Sequence, residues 1–196
     1  TNTKEFKIAY DRLGDVDKAY EIVNKIKDGQ FLGEIVKETT NYNDYKNFYG
    51  NKVRISKISE KTIKENIVRY LDSTDSGYAT EAKVANYINN EMRIKVVQFR
   101  NGVSIVGGRR IGDIDVTTAK TFIEVKTSWA VVDVEQFDKY TDPFDNEFFN
   151  LENKKVVLYV DKETDMTNLN LLKKKEIEGK GVITVNSLEE LGKVVE

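Results

Sequence analysis

The order of segments predicts an α/β fold with a mixed central sheet flanked by helices. Three observations carry this. After residue 77 the pattern runs helix, several consecutive strands, helix, strand, helix, strand, helix. The stretch "GDIDVTTAKTFIEVKTS" (112–128) holds two segments rich in strand formers, Ile114, Val116, Phe122, Ile123 and Val125. The later "KKVVLYVD" (154–161) is a nearly continuous apolar run, the mark of a buried strand.

Element by element, "GDVDKAYEIVNKIKDG" places Val16, Ala19, Tyr20, Val23 and Ile26 at helical spacing and stops at Gly29. "NYNDYKNFYGN" is polar and reads as loop. Its Tyr42, Tyr45 and Tyr49 either face a partner or fill out that loop. "SEKTIKENIVRYLD" puts Ile63, Ile67, Tyr70 and Leu71 on one helical face, with Ser59 as cap. "DSTDSG" (72–77) breaks the pattern, dividing a small helical amino-terminal region (1–73) from a larger unit (74–196). "YATEAKVANYINNEM" is helical, with an apolar stripe of Val84, Ala85, Ile88 and Met92 on which Glu81 also lies. A carboxylate there is costly unless something pairs with it.

"RIKVVQF" reads as a strand, and Asn101-Gly102 as a hairpin turn into "VSIV". The two segments of 112–128 follow, linked as a hairpin through Thr118, Ala119 and Lys120. Then come a short helix at "VEQFDKYTD", the buried strand, a helix at "TNLNLLKKKEIEG", a strand at "GVITV" and a closing helix. Ser187 and Glu190 form a capping box for that last helix.

Composition narrows the chemistry. At 196 residues the chain forms one large domain or two small ones. Its 31 basic and 33 acidic residues give a net charge of −2, so phosphate contacts would have to come from a local patch. No apolar run approaches membrane-spanning length, and no segment has a signal-peptide layout. The chain begins at Thr1 without methionine, as an excised or processed piece would, and as cloning also produces. There is no cysteine and no histidine. Disulfides, thiol nucleophiles, zinc sites built on Cys or His and serine–histidine triads are all excluded. Acid–base and metal chemistry must use carboxylates, lysine, tyrosine or water.

Alternation puts Asp113 and Asp115 on one face of the first segment, and Glu124 and Lys126 on one face of the second. Folding the hairpin brings the two sets together, with Glu81 from the helix as a third carboxylate. Such oxygen donors suit magnesium or manganese. A bound ion of this kind polarises a phosphodiester and lowers the pKa of its water. The lysine would orient that water, stabilise the phosphate, or act as base if its pKa were depressed. Taken alone, Glu124 and Lys126 also read as a cross-strand ion pair; Asp115 and Glu81 tip the reading towards catalysis. Asp113 reads as structural.

The pattern "IDV…FIEVK" resembles the core of the PD-(D/E)xK nuclease superfamily over roughly residues 77–161. The resemblance implies Asp115 as the motif aspartate, Glu124-Val125-Lys126 as the ExK, and Glu81 as the upstream helix glutamate. Gln136 and Tyr140 fit a QxxxY helix motif of some branches, which would place them at the substrate. No proline precedes Asp115, a departure of little weight. The implied fold is restriction-endonuclease-like. The implied activity is a metal-dependent endonuclease, with Asp115, Glu124 and Glu81 holding Mg2+ or Mn2+ ahead of Zn2+. A helical segment before a small nuclease domain is also similar to the toxic tip of bacterial polymorphic and contact-dependent growth-inhibition toxins. That likeness implies RNA, transfer RNA included, ahead of DNA, and a cognate immunity protein over the cleft. It also implies delivery from the surface or by secretion, within a larger bacterial protein, into a target cell's cytoplasm; otherwise the protein is cytoplasmic. A DNA-directed restriction or repair nuclease and a non-catalytic binding module remain as rivals.

Outside the motif, Arg109 and Arg110 follow the Gly107-Gly108 bend and either grip phosphate or form a solvated turn. Trp129 either stacks on a base or sits in the core. "LLKKKEIEGK" reads as a snorkelling helix face.

Overall fold

The computed structural model describes residues 4–48, 50–161 and 166–195; Tyr49 lies outside them. Oxygen-bearing caps start most of the helices. After α1 (Lys4–Leu13), α2 (Val16–Lys27) begins at Asp15, whose carboxylate accepts the Lys18 N–H at 3.0 Å. It ends just before Gly29, whose φ of +61° suits a residue without a side chain. Its buried residues are Ala19, Ile22 and Val23, while Val16 and Tyr20 stay exposed, so the buried face is rotated from the one the spacing suggested. Ser59 caps α3 (Glu60–Leu71) and Asp75 caps α4 (Ser76–Asn86). The break at 72–75 is therefore the link between two helices. A π-helical turn, Tyr87–Glu91, extends α4.

The strands are β1 (Glu34–Glu38), β2 (Tyr42–Lys46), β3 (Lys52–Ser56), β4 (Gln98–Ile105), β5 (Arg110–Thr117), β6 (Thr121–Lys126), β7 (Lys155–Val160) and β8 (Ile183–Val185). They form one eight-stranded sheet in chain order. Pairing is antiparallel from β1 to β6 and parallel across β6–β7–β8, so the sheet is mixed and mostly antiparallel. The connections carry α5 (Asp138–Thr141) and α6 (Asn168–Gly179), and α7 (Leu188–Val194) closes the chain. Glu190 N–H donates to Ser187 Oγ, and Glu190 Oε2 accepts from Asn186 N–H, a one-residue variant of the expected capping box. Among the described residues no helix is long and apolar enough to cross a membrane.

β6 and β7 show why both sheet faces are covered. Ile123, Val125, Val157 and Tyr159 pack against Ile63, Ile67, Val84, Ala85, Ile88 and Leu191, from α3, α4, its π turn and α7. Phe122, Val156, Leu158 and Val160 pack on the other side with Phe137, Tyr140, Phe149 and Ile177. Trp129 is in this second core, not presented to a base. Lys173 reaches the Val132 carbonyl at 2.9 Å, as a snorkelling lysine does.

Three expectations need correction. The amino-terminal third is not purely helical, because it contributes β1–β3, and β3 pairs with β4 through Val53↔Ile105 and Ile55↔Val103. The supposed loop around Tyr42 is β2. Cross-strand pairs hold it: Asp44 pairs with Arg54 at 2.7 Å, and the Arg54 guanidinium lies 3.8 Å over the Tyr42 ring. Finally, Asn101-Gly102 does not turn. It lies inside β4, where Asn101 Nδ2 donates to the Ser56 carbonyl at 2.8 Å and to Gln98 Oε1 at 2.7 Å. The hairpin turn comes later, at Gly107, with φ +77°. Residues 93–97 leave the π turn as coil, Ile94 N–H closing on the Ile88 carbonyl, and the strand starts at Gln98.

Candidate active site

β5 and β6 pair at Thr117↔Phe122 and Val116↔Ile123. The next pair in that register would be Asp115 and Glu124, and it does not form. Instead Asp115 Oδ2 accepts the Val125 backbone N–H at 2.8 Å, so a side chain takes over where the strands part. The parting places charge in a buried setting. Asp115 is 8% exposed and Glu124 is 0%. Lys126 Nζ lies 2.5 Å from Glu124 Oε1. Glu81 approaches from α4, and its charge acts on Asp115 and Lys126. The four residues singled out by sequence therefore converge.

Glu124 is held on every side. Gln136 Nε2 donates to Oε1 at 2.9 Å and the Tyr140 hydroxyl donates to Oε2 at 3.0 Å; Gln136 and Tyr140 also bond to each other. For Tyr140 this replaces the substrate-facing role expected of the pair, whereas Gln136 stays partly exposed beside a groove. Tyr140 is 1% exposed, so its hydroxyl is spent on orienting Glu124. Arg109 and Arg110, the other residues read as phosphate contacts, stand six and five residues before Asp115, roughly 16–20 Å along a strand. Arg109 pairs with Glu147 and Arg110 with Asp113, and neither is among the largest charge effects on Asp115 or Glu81. Asp113 is that exposed ion-pair partner.

Burial, then the charges of Glu124 and Glu81, push the Asp115 carboxyl well above the ordinary carboxylate range; Lys126 and the Val125 N–H oppose them. Burial raises Glu81 as well, against the pull of Arg100. For Lys126, burial works to lower the pKa, but Glu124, Asp115 and Glu81 overcome it and the net direction is up. These neighbouring carboxylates favour the cationic form of Lys126. Its available roles are donating hydrogen bonds and stabilising negative charge. The Tyr140 hydroxyl is pushed well up by burial and by Glu124, which keeps it a neutral donor.

No family model, curated protein or solved structure matches this chain.

The site's geometry and chemistry thus carry the functional reading. Sequence reasoning missed one of its members, Arg100. Arg100 ion-pairs with Glu81 and its guanidinium lies 3.5 Å over the Tyr78 ring and 4.7 Å over Tyr70. The adjacent Asn-Gly masked it, since that dipeptide reads as the tip of a turn. The donor set also fits a hard divalent cation in part. Asp115 Oδ1 accepts no hydrogen bond from the described residues, and the clustered carboxylates repel one another, as acids awaiting a cation do. Among the described residues there is no group of three or more such side chains arranged to hold a metal by themselves. Any ion here would complete its shell with water and substrate oxygen, as magnesium commonly does.

The Glu124 network makes a prediction of its own. Tyr140→Phe removes the donor to Oε2 and leaves a buried carboxylate oxygen unsatisfied, which should cost about 1–3 kcal/mol. Thermal melting measures it, and an unchanged midpoint would show that the Tyr140 bond adds nothing.

Proposed function

We propose that the chain is a metal-dependent endonuclease with a PD-(D/E)xK core, hydrolysing nucleic-acid phosphodiester bonds. The observation that carries this reading is the convergence of Asp115, Glu124, Glu81 and Lys126 where β5 and β6 part. Asp115 and Glu124 would hold Mg2+ or Mn2+, with Glu81 completing or positioning the site. The ion would polarise the phosphodiester and lower the pKa of its water. Water attack on phosphorus breaks the bond to the leaving sugar oxygen. Lys126 would donate to the phosphoryl oxygens as they gain charge. Asp115 Oδ1 would be the oxygen left for the ion, while Gln136 and Tyr140 keep Glu124 from turning away.

The biological setting proposed is the toxin domain of a bacterial competition system, acting on RNA ahead of DNA and restrained by an immunity protein over the cleft. That partner should bury on the order of 1,600 Å² in total and abolish cleavage. A co-purified binder that leaves activity intact would contradict it. A second reading draws on the bonding of Glu124, whose Oε1 takes Lys126 and Gln136 and whose Oε2 takes Tyr140: a binding module in which the acids are structural.

The deciding assay incubates purified protein with total RNA and with plasmid, with Mg2+ or Mn2+ and with EDTA. Metal-dependent fragmentation, faster for transfer RNA than for plasmid, is expected. Plasmid nicking with transfer RNA intact would move the substrate to DNA. Both nucleic acids intact under all conditions would favour the binding module.

A further inference from the structure

Arg100 has a backbone that ordinary strand formation does not explain. Its φ is +50°, in the left-handed region that side-chain-bearing residues rarely adopt, and it does so inside β4. The β4–β5 register steps from Phe99↔Val116 to Asn101↔Ile114, passing over the position where Arg100 would face Asp115. Strain of this kind persists only where surrounding structure enforces it, and it clusters at functional sites. Here the kinked backbone delivers a guanidinium to Glu81, at the edge of the carboxylate cluster.

The guanidinium carbon lies 3.5 Å from the centre of the Tyr78 ring and 4.7 Å from that of Tyr70, and Nη1 donates to Glu81 Oε2. A guanidinium carries five N–H donors in a fixed fork, so donor capacity remains. The charges around the site favour approach from this side. The groove beside Gln136, about 540 Å³, is lined by Asp133, Glu135, Asp138 and Asp145 against one cation, Lys139, which is itself paired with Glu147, so acidic side chains outnumber basic ones there. Lys126 and Arg100 are the cations with the largest effects on these acids: Lys126 acts on Asp115 and Glu81, and Arg100 on Glu81.

We infer, resting on the nuclease reading above, that Arg100 is a substrate contact: its guanidinium binds a backbone phosphate beside the scissile bond, and Glu81 stores it in the free protein. The fork matches phosphate oxygens bidentately, and the Tyr78 ring presets its plane. Substrate binding exchanges the Glu81 carboxylate for a phosphate, which frees Glu81 for the cluster. No covalent bond changes in this exchange.

The test is binding of a fluorescent single-stranded RNA oligonucleotide in EDTA, where no cleavage occurs, across a range of salt concentrations. Arg100→Gln keeps a planar amide over Tyr78 but removes the charge. It should weaken binding about tenfold and reduce the slope of log affinity against log salt by about 0.7, one phosphate contact on a single strand. Arg100→Lys should keep the slope. With metal present, the glutamine variant should lose turnover mainly through KM. A residue that merely neutralises Glu81 would lower the melting temperature and leave the slope alone. Should the glutamine variant fail to fold because Glu81 is orphaned, the double variant Arg100→Gln/Glu81→Gln leaves no unpaired charge and yields the same slope measurement. Wild-type cleavage with an unchanged slope in the charge-removed variant overturns this inference alone. A wild-type protein that neither binds nor cuts overturns the nuclease reading, and this inference with it.

Discussion

Asp115→Asn should abolish cleavage and raise stability together. The variant keeps an oxygen to accept the Val125 N–H and removes the charge that repels Glu124 and Glu81. Losing an ion-binding carboxylate removes several kcal/mol of transition-state stabilisation, about a thousandfold or more in rate. Relieving the repulsion should add about 1 kcal/mol, or roughly 2–4 °C in melting temperature for a chain of this size. The gain should also depend on pH in a definite sense. A carboxyl whose pKa is raised by folding costs the folded state nothing below its unfolded value of about 3.9. The cost accumulates as pH rises from that value to the folded one and is constant above it. The melting difference between variant and wild type should therefore be near zero at about pH 4, grow as pH rises, and level off once the folded carboxyl ionises. An aspartate serving as an ordinary ion-pair partner would give the opposite result: the variant would lose stability and keep its specific activity.

Lys126→Ala should also abolish turnover, but with stability moving the other way. Lys126 lies 2.5 Å from Glu124 Oε1, and Glu124 is fully enclosed. Removing one partner of a buried pair leaves an uncompensated charge. Gln136 and Tyr140 remain as donors, so the cost should fall at the low end of that class, roughly 3 kcal/mol. That corresponds to a melting temperature lower by about 6–12 °C. Mn2+ affinity measured by calorimetry should be largely retained, because lysine is not a ligand. The double variant Lys126→Ala/Glu124→Gln should recover most of the stability and none of the activity. Retained cleavage by Lys126→Ala would remove it from the site outright.

Much of this site was legible in the residues. Asp115, Glu124 and Lys126 were placed by two-residue alternation in segments joined by a short link, and the hairpin through Thr118 and Thr121 forms with Thr118 N–H on the Thr121 carbonyl at 2.9 Å. Glu81 was found because a carboxylate on an apolar helical stripe needs a partner. What misled were signals that tertiary contacts overrode. Asn101-Gly102 favours a turn locally, yet the Asn101 amide is worth more spanning to Ser56 and Gln98 inside a continuous strand. The polar run at 41–51 gave no strand pattern, because Asp44, Arg54 and Tyr42 stabilise β2 through polar contacts across strands, the buried Asp44 carboxylate included, and not through apolar alternation.

By itself, the sequence determined the chemistry available: carboxylates, lysine and tyrosine with no histidine or cysteine, carried on a helix and two strands in an α/β order. The reason is that residue type and short-range periodicity are local properties. Three things were left to the tertiary structure. It parted β5 and β6 at Asp115, it turned Gln136 and Tyr140 inward onto Glu124, and it brought Arg100 to Glu81 through a left-handed backbone. Each depends on groups ten or more residues apart meeting in a space that water has largely left. There, an unpaired charge or hydrogen-bonding group is costly enough to override what its neighbours in the chain prefer.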